Sequence, residues 1–133
     1  MCIRVIDGDT VELDGGDRVR LIGVNTPESV DPRRPVERFG KEASAFTRRL
    51  AEGQSVRLEY GEETRDRYGR KLAYIYLPDG SLLNAEIIRQ GYGFATTRFP
   101  HRHLEEFVEL EREAREQGRG LWGKDVAGPT GSN

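Results

Sequence analysis

The chain has 133 residues, enough for one domain with its own core and too few for two sizeable ones. Charged residues make up 33% and hydrophobic residues 35%, and the formal net charge is −2, so no overall positive charge advertises a nucleic-acid binder. The one cysteine, Cys2, excludes an internal disulfide framework and a cysteine-rich zinc site, and no apolar run approaches the ~18 residues that a membrane span requires.

The first 24 residues predict strands. Cys2 to Ile6, Thr10 to Leu13 and Arg18 to Val24 alternate in polarity, separated by Asp7-Gly8 and by the hairpin turn Asp14-Gly15-Gly16-Asp17. Pro27 to Pro35 breaks the pattern and predicts a long polar loop. Phe39, Ala43, Phe46 and Leu50 then lie on one helical face, ending near Gly53. Val56, Leu58 and Tyr60 predict a fourth strand, Gly61 to Gly69 a charged loop, and Leu72 to Leu77 a fifth strand. Asn84 is placed to cap a short helix ending at Gly91. Residues 92–99 have mixed character, with some strand propensity. Leu104, Phe107, Val108, Leu110 and Ala114 form the stripe of a last helix stopped by Gly118. Leu121 and Trp122 are placed to anchor the end of the fold. Residues 1–124 thus read as one domain and 125–133 as a loose tail. Five strands with a helix between the third and fourth, and three helices in all, predict an α+β fold built on a five-stranded Greek-key barrel of the OB type.

Charge is unevenly placed. Segments 29–50 and 64–71 are each net basic, whereas residues 105–116 carry six glutamates against Arg112 and Arg115. The acidic stretch reads as the solvent face of the last helix. Arg33 and Arg34 read equally as a nucleic-acid contact or a solvated loop. His101 and His103, two residues apart, share no helix face and are not read as a metal pair. Tyr74 and Tyr76, on one strand face, are read as barrel-wall packing rather than a base-stacking platform.

Residues able to do chemistry sit at the breaks in the strand pattern. Asp7 and Asp9 flank Gly8, Arg20 lies in the third strand, Asn25-Thr26-Pro27-Glu28 leaves that strand, and Asp66 to Arg70 forms a later turn. Phosphodiester hydrolysis needs cations against the charged equatorial oxygens, an activated water, and benefits from a hard cation held by oxygen ligands. Arg20, Arg70, Glu28, Asp9 and the oxygens of Asn25 and Thr26 supply those parts. Spacing alone does not show that they converge.

The stretches Val5 to Val11, Arg20 to Glu28, Gly40 to Thr47, Asp66 to Tyr76, Asn84 to Gly91 and Gly120-Leu121-Trp122, in that order, strongly resemble the staphylococcal nuclease (thermonuclease) family. The resemblance covers about residues 3–123. It implies an OB barrel with three helices and a calcium-dependent nuclease that cuts the 5′ P–O bond of DNA and RNA, leaving 3′-phosphate ends. Residue by residue, it implies that Asp9 and the Thr26 carbonyl are ligands to Ca2+ and that Asp7 neighbours the metal. Arg20 and Arg70 bind phosphate, Glu28 is the general base or orients water, and Tyr68 contacts a nucleotide phosphate. The family's second metal carboxylate is Asn25 here, a neutral oxygen ligand, so metal binding is expected to be weaker. The aromatic base pocket of the family has no clear counterpart in Phe94 to Thr97. Relatives imply a secreted or cell-envelope parent protein, although no signal peptide opens this chain; single-stranded substrates, no membrane partner and, by default, a monomeric state are also expected. The competing reading is a catalytically weak or inactive OB module that binds nucleic acid or protein without turnover.

Overall fold

In the computed structural model, residues 1–27 and 39–123 are described. The alternating opening segments form β1 (Cys2–Asp7), β2 (Thr10–Leu13) and β3 (Arg18–Leu21), an antiparallel meander. Val11, Leu13, Val19 and Leu21 are buried, so one face of the meander lies against the core. A turn at Ile22-Gly23 ends β3, and Val24–Asn25 forms a two-residue strand, β4. Then follow α1 (Gly40–Ala51), β5 (Arg57–Arg65), β6 (Lys71–Tyr76), α2 (Leu83–Arg89), β7 (Phe94–Ala95), α3 (Leu104–Gln117) and a 3₁₀ turn at Gly120–Trp122.

The main sheet runs β1-β2-β3-β6-β5, with β4 and β7 paired separately. Among the described residues only the β3–β6 ladder is parallel, matching Val19 with Lys71, Arg20 with Leu72 and Leu21 with Ala73. Ala73, Tyr74 and Ile75 are buried consecutively because β6 is central and covered on both faces. Helix α1 packs on β1, and α2 packs on α1 and α3. Phe46 of α1, Ile87 and Ile88 of α2 and Phe107 of α3 complete the core. Removing such a side chain costs about 2–5 kcal/mol. Tyr92 stacks on Phe39 and Phe46, with centroids 5.4 and 4.3 Å apart, and fastens α1 to the end of α2.

The α+β class, the five strands of the main sheet and the three helices agree with the sequence reading. The closed barrel does not: among the described residues no ladder joins β5 back to β1. The connection after α1 occupies that edge instead. Cys2 N–H donates to the Gln54 carbonyl at 3.0 Å, Gly53 N–H to the Cys2 carbonyl at 2.8 Å, and Val5 N–H to Glu52 Oε2 at 3.3 Å. Those backbone groups are therefore satisfied without a sixth pairing.

Two further expectations are corrected. Strand β5 runs through Arg65, into the segment expected to be a loop, because an exposed edge strand needs no buried alternation. Asn84 is not a helix cap. The cap residue is Leu82, and Asn84 is fully buried one position inside α2. Its Oδ1 accepts the Ile75 N–H at 3.0 Å, and its Nδ2 donates to the Ile22 carbonyl at 2.8 Å and the Ala73 carbonyl at 3.4 Å. Gly118, at φ +66, stops α3 as expected. The proposed tail, the basic pair Arg33-Arg34 and Glu28 lie outside the described residues.

Candidate active site

The sheet register brings three separate segments together around Asp9. That residue occupies the short turn between β1 and β2 and is 7% exposed. Its Oδ1 accepts the Thr10 hydroxyl at 3.1 Å and its Oδ2 accepts the Thr26 N–H at 2.9 Å. The turn is anchored from outside: Thr47 of α1 donates its hydroxyl to the Gly8 carbonyl at 2.7 Å. A side chain at Gly8 would place Cβ only 2.8 Å from Thr26 Oγ1, so a close backbone approach, rather than an unusual φ, requires glycine there.

Arg20 lies opposite Thr10 in the β2–β3 ladder. Its Nη1 donates to the carbonyls of Leu21 at 2.8 Å and Val24 at 2.7 Å, which spans the turn after β3. Its Nη2 donates to Asn25 Oδ1 at 3.2 Å and stands 3.5 Å from Asp9 Oδ2. The guanidinium is thus fixed by four acceptors, and Nε has no protein partner among the described residues. Asn25 is held on β4 by pairing with Phe94. Thr26 is 6% exposed, and its Oγ1 is buried without a hydrogen-bond partner among the described residues.

The turn that loops out between β5 and β6 forms a second group. Arg70 directly precedes β6, and the parallel register puts it two residues from the level of Arg20. Its Nε donates to Asp66 Oδ2 at 2.8 Å. Tyr68 is 69% exposed, with the Arg67 and Arg70 guanidinium carbons 5.1 and 5.5 Å from its ring centre. Burial alone would raise the Asp66 pKa. The hydrogen bonds from the Arg70 backbone and side chain and from the Tyr68 N–H outweigh it, and the carboxyl titrates below its ordinary value.

Two hydrogen bonds and the Arg20–Asp9 ion pair therefore join Asp9, Arg20, Asn25 and Thr26, while Arg70 and Tyr68 form a neighbouring cluster with no direct hydrogen bond to the first among the described residues. Asp7 ends β1 on the other side of Gly8. The anchoring role of Thr47 escaped the sequence reading, which makes Asn84 a cap rather than a buried anchor. A threonine on an apolar helix face and an asparagine at a helix start have commoner explanations than holding a distant backbone group.

Asp9, Asn25 and the Thr26 carbonyl offer oxygen donors of the kind that a hard cation such as Ca2+ takes, and Thr26 Oγ1 has no hydrogen-bond partner among the described residues. No group of three or more histidine, cysteine, aspartate or glutamate side chains suited to a metal occurs among the described residues. Such a site carries little negative charge of its own. His101 and His103 pack against Tyr74 and Phe107. The fully buried Tyr74 bears out its reading as wall packing.

The model of the staphylococcal nuclease homologue family matches residues 18–124. The thermonuclease of Staphylococcus intermedius is 44% identical over 123 residues, which are 90% of this chain and 73% of that protein. The thermonuclease of Staphylococcus hyicus is 41% identical over 124 residues, with the same coverage of both. An uncharacterised endonuclease of Escherichia coli O157:H7 is 32% identical over 123 residues, 90% of this chain and 74% of its own. Those matches place the chain in the staphylococcal nuclease family.

Proposed function

We propose that this chain is a calcium-dependent nuclease that hydrolyses phosphodiester bonds of DNA and RNA, cleaving the 5′ P–O bond and leaving 3′-phosphate ends. The observation that carries the reading is the fork of Arg20, which spans Asp9 and Asn25 while two carbonyls hold its other nitrogen. With Nη1 and Nη2 committed to those acceptors, the Nε–H is the donor left for a phosphate oxygen, and it is held in place before charge develops there. Arg70 supplies a second guanidinium, and Tyr68 contacts the substrate phosphate. Glu28 follows Pro27 directly and serves as the base or water-orienting carboxylate. Asp9, Asn25 and the Thr26 carbonyl hold the calcium. When bound, the cation neutralises phosphate charge and favours ionisation of a nearby water.

The neutral amide of Asn25 weakens metal binding relative to a carboxylate. It is also what favours the second reading, a nucleic-acid- or protein-binding module without turnover. Cleavage of a fluorogenic single-stranded DNA across a calcium titration separates them, using the natural chain, Asn25→Asp and an Arg70→Ala control. The nuclease reading expects the natural chain to cut and Asn25→Asp to saturate at roughly tenfold lower calcium, the order expected from one added unit charge near a divalent ion. Cleavage no greater than that of Arg70→Ala, with DNA still bound, selects the binding module. Single-stranded preference, a monomeric state and an exported parent protein belong to the same proposal; a molar mass from light scattering above that of one chain would remove the monomer.

A further inference from the structure

The segment between β5 and β6 is folded around one carboxylate. Asp66 Oδ1 accepts the backbone N–H groups of Tyr68 at 2.9 Å and of Arg70 at 3.0 Å. Asp66 Oδ2 accepts Arg70 Nε at 2.8 Å. The backbone closes the same turn, with Asp66 N–H donating to the Arg70 carbonyl at 2.9 Å and Gly69 N–H to the Asp66 carbonyl at 3.0 Å. Gly69, at φ +83, makes the reversal available. Three of the acceptor directions of Asp66 are thus committed to the two residues read as touching substrate.

Two other cations flanking this turn, Arg65 and Lys71, have partners of their own, and Arg67 Nη2 donates to Tyr68 Oη at 3.0 Å. Lys71 Nζ lies 2.9 Å from Asp17 Oδ2, and Arg65 Nη2 lies 3.7 Å from Asp17 Oδ1, so the β2–β3 hairpin neutralises the base of the turn. Arg65 Nη1 also donates to the Gly69 carbonyl at 2.7 Å. Among the described residues, the two terminal nitrogens of Arg70 have no hydrogen-bond partner. A guanidinium offers two bidentate edges, and engaging Nε occupies one of them. The edge formed by Nη1 and Nη2 stays open, which is the edge a phosphate takes with two parallel hydrogen bonds.

We propose that Asp66 is a positioning residue for Arg70: it holds the guanidinium by Nε and presents the opposite, two-nitrogen edge to the scissile phosphate. The proposal rests on the nuclease reading given above. Asp66 never touches substrate. It sets the rotamer of a long side chain before binding, so the interaction is strongest where geometry matters most, in the transition state. A purely electrostatic view gives the opposite expectation, because a carboxylate beside a phosphate site should repel substrate and its removal should help.

The test is a double-mutant cycle on single-stranded DNA cleavage in calcium, with Asp66→Asn, Arg70→Ala and the two combined. In Asp66→Asn the amide oxygen still accepts the two backbone N–H groups, but its NH2 faces Arg70 Nε donor to donor. The expected result is a kcat at least tenfold lower with KM unchanged or smaller, and no further loss from Asp66→Asn in the Arg70→Ala background. The Arg70 Nε–H resonance is expected to be protected from solvent exchange in the natural chain and to lose that protection in Asp66→Asn, while the midpoint of thermal unfolding stays close to the natural value. Should Asp66→Asn fail to fold, Asp66→Ser, a short acceptor that also supports the turn, takes its place. A variant as active as the natural chain, or one that loses the same factor with and without Arg70, overturns the proposal alone. A natural chain that cleaves nothing overturns the nuclease reading and this proposal with it.

Discussion

Arg20 shows how much one side chain carries here. Its Nη1 satisfies two backbone carbonyls at the turn after β3, and its Nη2 reaches the two residues read as metal ligands. Lysine keeps the charge but cannot make the fork. Arg20→Lys is therefore expected to lose about 10²-fold or more in kcat, the range seen when one preorganised donor is removed from a transition state. Arg20→Ala should in addition lower folding stability by about 1–3 kcal/mol, since the Leu21 and Val24 carbonyls lose their partner. Urea unfolding with and without calcium separates the two effects. At this scale most of the cluster was legible: Asp9, Arg20, Asn25 and Thr26 stand at breaks in the strand pattern and meet in space. The roles of Thr47 and Asn84 were not. Their partners are a carbonyl of a turn 39 residues away and the backbone of another strand, which no local pattern announces.

Elements were read well where periodicity was strong and poorly where something other than burial set their limits. Helices α1 and α3 and the first three strands follow their apolar spacing. β5 outran its pattern because Glu62 to Arg65 are exposed, with Arg65 pairing with Lys71 beyond a register shift that follows Tyr60. The stretch expected to be one strand over 18–24 is two, divided at Gly23. That glycine adopts φ +81, and a Cβ there would stand 2.6 Å from His101 Cε1 and 2.8 Å from Phe107 Cδ2. Gly23→Ala is expected to destabilise the protein by about 2–4 kcal/mol, the strain of the left-handed backbone added to the overpacking. Because this turn carries Asn25 and Thr26, calcium affinity measured by calorimetry should fall along with the urea midpoint. An unchanged midpoint would mean that the turn is not pinned by His101. The same neighbours explain why residues 92–99 carried no clear signal: β7 is two residues long and exists to pair with β4.

At the scale of the molecule, the approach to α3 holds a pH-dependent fastening. Tyr74 Oη and the His103 backbone N–H lie 2.8 and 3.3 Å from His101 Nδ1, so that nitrogen is assigned as an acceptor. Burial first, and the neighbouring His103 second, hold the His101 pKa below its ordinary 6.5. Above pH 6.5 both folded and unfolded chains carry the neutral ring, and this residue adds no pH dependence. As pH falls below about 6.5, the unfolded chain takes up a proton that the folded chain resists. Stability from this group is then lost down to the folded pKa, with a slope of at most about 1.4 kcal/mol per pH unit, the limit for one proton. Urea midpoints measured between pH 8 and 5 should decline over that range in the natural chain and less steeply in His101→Gln. Equal declines in both would assign the acid sensitivity to other groups, such as the carboxylates paired with arginine.

The parallel seam between β3 and β6 has a consequence in time. The sheet consists of two locally folded pieces, the β1-β2-β3 meander and the β5-β6 hairpin, each closed by short connections. They are sewn together by three residue pairs whose members stand more than 50 positions apart. Local hairpins form in microseconds, whereas closing so long a loop is entropically costly and slow. The seam is thus the last major contact to form, and truncations at Val19 or Ala73 should slow refolding more than they hasten unfolding if it belongs to the rate-limiting barrier. Asp9 and Arg20 belong to the first piece, and Asp66, Tyr68 and Arg70 to the second. Until the seam closes there are two half-sites and no enzyme, so activity recovered during refolding should lag behind the return of strand structure and coincide with the burial of Tyr74.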